Sequence, residues 1–78
     1  MKVEVVMPKW AEMTEGTIVA WKKNVGDNVK ANEPITEIET EKINTEIEAV
    51  VDGVLTEIFY QAGDTVKVGT TIAIIEKD

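Results

Sequence analysis

The chain offers a short inventory of reactive side chains: eight lysines, fifteen carboxylates and a set of hydroxyls, with no histidine, cysteine or arginine. Without histidine or cysteine there is no Ser-His-Asp or Cys-His nucleophile and no ordinary zinc site. Nor does any unperturbed side chain change charge near neutral pH. Without arginine there is no planar fork to grip a carboxylate or phosphate. These absences remove most catalytic machinery, and any redox chemistry would have to arrive on a cofactor. One lysine stands apart: Lys42, inside IETEKINTEI at residues 38–47.

The elements that would present Lys42 follow from periodicity. Ile38, Thr40, Ile43, Thr45 and Ile47 share a face only if the chain alternates with period two and folds back at Glu41-Lys42. On a helix the carboxylates would ring every side, and the β-branched residues at half of these positions disfavour that alternative. A two-residue tip pairs Thr40 with Ile43, Glu39 with Asn44, Ile38 with Thr45 and Glu37 with Glu46. A three-residue tip would move Ile43 and Ile47 to the wrong face. Two local rules are broken here: the turn lacks the Asn-Gly or Asp-Gly that favours a tight hairpin, and Glu37 faces Glu46. Broken local rules tend to mark function. A lysine at such a tip is solvated, no general base, and accessible to a modifying enzyme. Taken alone, it would instead be an ordinary surface lysine.

The chain also repeats itself. At an offset of 37, eight of 24 aligned positions are identical, and turn residues meet turn residues while apolar residues meet apolar ones. Gly16 aligns with Gly53, Gly26-Asp27 with Gly63-Asp64, and Ile35, Ile38 and Glu39 with Ile72, Ile75 and Glu76. These glycines and aspartates are read as structural turns. The expected strands are about 2–7, 17–23, 28–31, 35–40, 43–50, 54–60, 65–68 and 71–77, with no helix. The fold class is all-β: a flattened eight-stranded barrel-sandwich hybrid of two four-stranded antiparallel sheets with internal pseudo-two-fold symmetry. Residues 1–78 form one domain with halves at about 1–40 and 43–78. Only the first copy continues into a hairpin, so the symmetry singles out Lys42.

With 78 residues and two Trp, one Tyr and one Phe, the core must be thin and β-branched, without room for a deep pocket. A net charge of −7 argues against nucleic acid and anionic membranes as partners. No apolar run is long enough to cross a bilayer and no signal peptide is visible. Trp21 aligns with Ile58 and is read as core. Residues Met7 to Glu15 form the one long connection without a counterpart in the second copy, with Trp10 and Met13 able to plug the barrel end.

Over almost its whole length the sequence resembles a lipoyl domain, the swinging-arm carrier of 2-oxo acid dehydrogenase complexes. The matching stretches are VVMPKW, EGTIVAWKKNVGDNVKANEPITEIETEKI and GVLTEIFYQAGDTVKVGTTIAII. In that family the modified lysine lies at a hairpin tip, usually after Asp; here Glu41-Lys42-Ile43 occupies those positions. The resemblance implies lipoate joined by an amide to Lys42, attached by a lipoate ligase or lipoyl transferase. It implies reductive acylation by a thiamin-diphosphate-dependent decarboxylase, transfer to an acyltransferase catalytic domain and reoxidation by dihydrolipoyl dehydrogenase. The domain itself would be a non-catalytic monomeric carrier, cytoplasmic or in the mitochondrial matrix.

The clustering of Glu39, Glu41, Ile43 and Glu46 around the lysine points to recognition of the attachment site, the alternative being an ordinary solvated face. The resemblance further implies a partner-specificity loop of Pro8, Lys9, Trp10, Glu12, Met13 and Glu15. A biotin carrier on the same fold is the nearest alternative, but such carriers flank their lysine with methionine. An unmodified structural module of this type would be expected to interrupt the repeat with a helical hairpin. This chain has a tight tip instead.

Overall fold

The computed structural model describes residues 1–9 and 12–77. It contains eight strands: β1 (Lys2–Val6), β2 (Glu15–Trp21), β3 (Asn28–Val29), β4 (Pro34–Glu39), β5 (Asn44–Glu48), β6 (Gly53–Ile58), β7 (Thr65–Lys67) and β8 (Thr71–Lys77). They form two four-stranded antiparallel sheets, in the orders β1-β8-β6-β3 and β5-β4-β2-β7. Exchanging β2 with β6, β3 with β7, β4 with β8 and β5 with β1 turns one order into the other, so the internal two-fold is real. Each sheet nevertheless draws strands from both sequence repeats. The interleaving is what makes the two copies one core.

The symmetry extends to irregularities. The register between β2 and β4 slips at Val19, and that between β6 and β8 slips at Thr56, 37 residues later. The β4–β5 and β1–β8 ladders likewise shift between Pro34 and Thr36 and between Val5 and Val6. Such bulges bend a strand and sharpen its twist. Here they curl two sheets around a narrow interior.

The two sheets are those expected of the hybrid, and they are not closed into a barrel. Edge strands β3 and β7 have only two and three residues, too short to continue a ladder around the rim. Corners do the joining instead. Past β3 the chain crosses between sheets with Asn32 at φ 72°, and past β7 with Gly69 at φ 84°. The Asn32 amide donates to the Ala49 carbonyl at 2.7 Å, and the Gly69 amide to the Met7 carbonyl at 2.7 Å. Asparagine tolerates the left-handed region better than most side chains, so both corners form without strain.

The Gly-Asp turns behave as expected. Gly26 and Gly63 adopt φ of 99° and 97°, and the Asp27 and Asp64 carboxylates accept from the Asn24 and Gln61 amides at 2.8 Å in both copies. Gly16 and Gly53, also read as turns, lie instead inside β2 and β6. A close approach of neighbours, not a positive φ, explains them there.

Between the sheets lie Val5, Met7, Ile18, Val29, Ile35, Ile38, Ile47, Leu55, Val66, Ile72 and Ile75, all buried, and Met13 and Trp21 pack against this core. Trp21 donates from Nε1 to the Tyr60 carbonyl at 2.8 Å, the partner a half-buried indole needs. Among the described residues Thr36 is the buried polar one. Its hydroxyl donates to the Ala20 carbonyl at 2.8 Å beside the β2 bulge.

At the Asn32 corner, Glu33 accepts from the Lys30 amide at 3.0 Å and pairs with Lys23 at 3.0 Å. The Lys23 ammonium, then the amide, hold its carboxyl below the usual range. A carboxylate with a lowered folded pKa stabilises the fold above its unfolded value of about 4.3. That contribution is lost as pH falls through the folded value. In urea titrations from pH 7 down to pH 3, the midpoint advantage of wild type over Glu33→Gln should therefore shrink on acidification. An advantage that stays constant or grows would show that the pairing is not electrostatic.

Candidate attachment site at a hairpin tip

The β4–β5 hairpin has the register expected from alternation: Glu37 opposite Glu46, Ile38 opposite Thr45 and Glu39 opposite Asn44. The Thr40 amide donates to the Ile43 carbonyl at 2.8 Å, leaving Glu41 and Lys42 as the two-residue tip. Ile38 and Ile47 point into the core at 0% and 6% exposure, while Ile43 at the tip is half exposed. Period two thus holds until the chain leaves the shelter of the opposite sheet. Lys42 is exposed, and among the described residues it enters no ion pair, unlike Lys22 and Lys23.

How the turn forms without glycine or asparagine is visible in its hydrogen bonds. Type I′ hairpins need positive φ at both tip residues, yet Asn32 is the only non-glycine with positive φ among the described residues. In a closed two-residue hairpin the Ile43 amide would donate to the Thr40 carbonyl. It donates instead to the Thr40 hydroxyl at 3.2 Å, and that hydroxyl donates to the Ile43 carbonyl at 3.0 Å. The side chain substitutes for a backbone acceptor that the turn's geometry withholds. Sequence reasoning assigned Thr40 only to a strand face. Its signal was its place just before a two-residue tip, where a Ser or Thr hydroxyl can bond the backbone locally.

The long loop meets this tip. Its ends are fixed where the Val68 amide donates to the Thr14 carbonyl at 3.1 Å and the Met7 amide to the Thr70 carbonyl at 2.9 Å. Residues 12–17 of the loop and β2, and residues 39–43 of the hairpin, line one open groove. Glu12, Glu15, Glu39 and Glu41 give the groove four carboxylates around the single amine of Lys42, with Met13 and Ile43 as apolar surface.

The expected recognition residues divide accordingly. Glu39, Glu41 and Ile43 join Lys42 in the groove. Glu46 does not: it pairs with Lys22 at 3.1 Å, a contact that relieves its repulsion of Glu37. Of the expected loop residues, Glu12, Met13 and Glu15 reach the groove, Pro8 and Lys9 are not among its lining, and Trp10 lies outside the described residues. Met13 both packs on the core and lines the groove, so the plug and the rim are one side chain. Among the described residues no cluster of His, Cys, Asp and Glu is arranged to hold a metal.

Comparison with known proteins bears on this arrangement. Residues 3–75 match the family model described as a biotin-requiring enzyme, the biotin/lipoyl family. Over 76 residues, 96% of the chain, the sequence is 50% identical to the dihydrolipoyllysine-residue acetyltransferase component of the pyruvate dehydrogenase complex of Corynebacterium glutamicum. It is 49% identical, over 92% of the chain, to the dihydrolipoyllysine-residue succinyltransferase component of the 2-oxoglutarate dehydrogenase complex of Staphylococcus saprophyticus. The chain spans only 11% and 17% of the length of these two relatives. The solution structure of the lipoyl domain of the Azotobacter vinelandii 2-oxoglutarate dehydrogenase complex superposes with a TM-score of 0.73 at 33% identity, covering 99% of this chain and 98% of that one. With the same fold end to end, the chain belongs to the biotin/lipoyl-attachment family and is a lipoyl domain of the kind found in acyltransferase components of 2-oxo acid dehydrogenase complexes.

Proposed function

We infer that this domain is a swinging-arm carrier whose lipoyl group is held in amide linkage to Lys42 Nζ. The observation that supports it most directly is the exposed Lys42, without an ion pair among the described residues, at the tip of a tight hairpin beside a groove built by the one loop that breaks the internal symmetry. An amide needs a primary amine that a ligase can surround, and the tip offers one.

Lys42 Nζ would hold the group: its attack on an activated lipoate carboxyl would form the amide N–C bond, release the activating group and give up the amine proton. Bound there, the dithiolane supplies the acyl-accepting and two-electron redox chemistry that no side chain of this domain possesses. The domain then has three tasks: to hold the attachment point rigid, to expose it, and to match the surfaces of its partners. Glu12, Glu15, Glu39 and Glu41 suit basic partner surfaces, where complementary charge raises the rate of encounter.

The domain accepts its acyl group from a thiamin-diphosphate-dependent 2-oxo acid decarboxylase and delivers it to an acyltransferase. Dihydrolipoyl dehydrogenase then restores the arm. Tethering replaces diffusion between these enzymes with a high local concentration, so the carrier needs no catalytic group of its own. Work in the cytoplasm or the mitochondrial matrix fits this role.

Biotin is the competing cargo, because one family covers both attachments. Incubation with lipoate ligase, lipoate and ATP, and separately with biotin ligase, biotin and ATP, separates them by intact mass and peptide mapping. The expected result is one lipoyl group, on the peptide containing Lys42. Biotinylation alone, or lipoate on another lysine, would overturn the reading.

A further inference from the structure

We propose that Thr40 is the positioning residue of the attachment site: its hydroxyl locks the hairpin tip in the one conformation that a lipoate ligase reads. The inference rests on the carrier reading above and adds a residue whose hydroxyl bonds the Ile43 backbone.

Two-residue hairpins are normally closed by backbone bonds in both directions, and they favour turns whose positive φ matches the strand twist. Glu41 and Lys42 do not take positive φ. Only one direction is closed by backbone here, from the Thr40 amide to the Ile43 carbonyl at 2.8 Å. The other is closed by the Thr40 hydroxyl, which accepts from the Ile43 amide at 3.2 Å while donating to the Ile43 carbonyl at 3.0 Å. One side chain therefore satisfies both polar groups of Ile43. Without it the Ile43 amide turns to water and the tip samples several shapes.

Lys42 lies between the two residues joined by this clamp. Its direction relative to Glu39 and Glu41, which line the same groove, depends on the tip holding still. A partner that binds only one tip conformation sees an apparent affinity divided by the fraction of domains in that conformation. Loss of the clamp should thus raise KM for the domain and spare kcat, since the amine itself is unchanged.

The test compares wild type, Thr40→Val and Thr40→Ser as substrates of lipoate ligase with lipoate and ATP, with melting temperatures and hydrogen exchange at the Ile43 amide measured on the same samples. Valine keeps the shape and the β-branching; serine keeps the hydroxyl. For Thr40→Val we expect a KM roughly tenfold higher, the scale of losing two neutral hydrogen bonds, with kcat within about twofold and faster exchange at Ile43. Thr40→Ser should restore KM and exchange to near wild type. Equal KM for wild type and Thr40→Val, or a Thr40→Ser variant as impaired as Thr40→Val, overturns the proposal. So does a Thr40→Val defect confined to melting temperature. If wild type takes up no lipoate at all, the carrier reading itself falls; if wild type is labelled at Lys42 and Thr40→Val equally well, this inference alone falls.

Discussion

A Lys42→Arg domain should melt like wild type and take up no lipoate, a complete loss instead of a graded one. Arginine keeps the positive charge and the long aliphatic stem, so the field at the acidic groove is nearly unchanged. Its guanidinium stays protonated at any usable pH and has no free lone pair to attack an activated carboxyl. The residue is exposed and makes no ion pair among the described residues, which is why no stability cost is expected. The other seven lysines offer no relief, since none occupies a two-residue tip; Lys22 and Lys23, for example, are engaged with Glu46 and Glu33. Intact mass after ligase treatment checks the attachment, and the rate of reductive acylation with a cognate decarboxylase checks the downstream consequence. Labelling of more than a few per cent of the variant would mean that the ligase reads the hairpin without depending on Lys42.

The second large effect concerns folding. Gly53→Ala should destabilise the domain by about 3 kcal/mol or more, as expected for overpacking against unyielding atoms. In a domain of this size that corresponds to a fall of roughly 12–24 °C in melting temperature. A Cβ on Gly53 would collide with the Glu76 carbonyl oxygen and stand 2.9 Å from Ile75 Cγ2. Backbone of the central strand β8 cannot retreat without breaking its ladders to β1 and β6. The symmetry mate provides the control. A Cβ on Gly16 would meet Met7 Sδ at 3.2 Å, with Ile38 Cδ1 and Met13 Cε at 3.5 Å, all ends of adjustable side chains. Gly16→Ala should therefore cost on the order of 1 kcal/mol or less, because methionine repacks readily. Thermal melts by circular dichroism on the two variants test the contrast. Similar melting temperatures would show that β8 yields more than its neighbours allow.

The hairpin tip and the core are built at different strengths for a physical reason. Ile38 and Ile47 tie the hairpin stem to an interior in which both are almost fully buried. Beyond them the tip is held by three hydrogen bonds between Thr40 and Ile43 alone. A stem rooted in the core gives partners a rigid reference point. An exposed tip leaves Lys42 accessible.

Much of this was legible in the sequence because it depends on local periodicity. Alternation of Ile and Thr across residues 38–47 determined both the hairpin and its register, since any one-residue slip would have turned Ile47 out of the core. The repeat at an offset of 37 likewise announced two similar units, and Gly26-Asp27 and Gly63-Asp64 announced their turns. Lys42 emerged from the same patterns, as the residue at the fold-back between the two alternating runs. Tertiary structure alone decided how the units combine: each sheet takes strands from both, and the corners at Asn32 and Gly69 carry the chain between sheets. It also decided that Gly16 and Gly53 serve close approach within strands, that Glu46 is engaged by Lys22, and that residues 12–17 stand beside the lysine. Alternation along one strand reports which side faces inward, but not which distant segment lies opposite. That choice is made by packing and by hydrogen bonds between residues far apart in the chain, and it turns an exposed lysine into a shaped site.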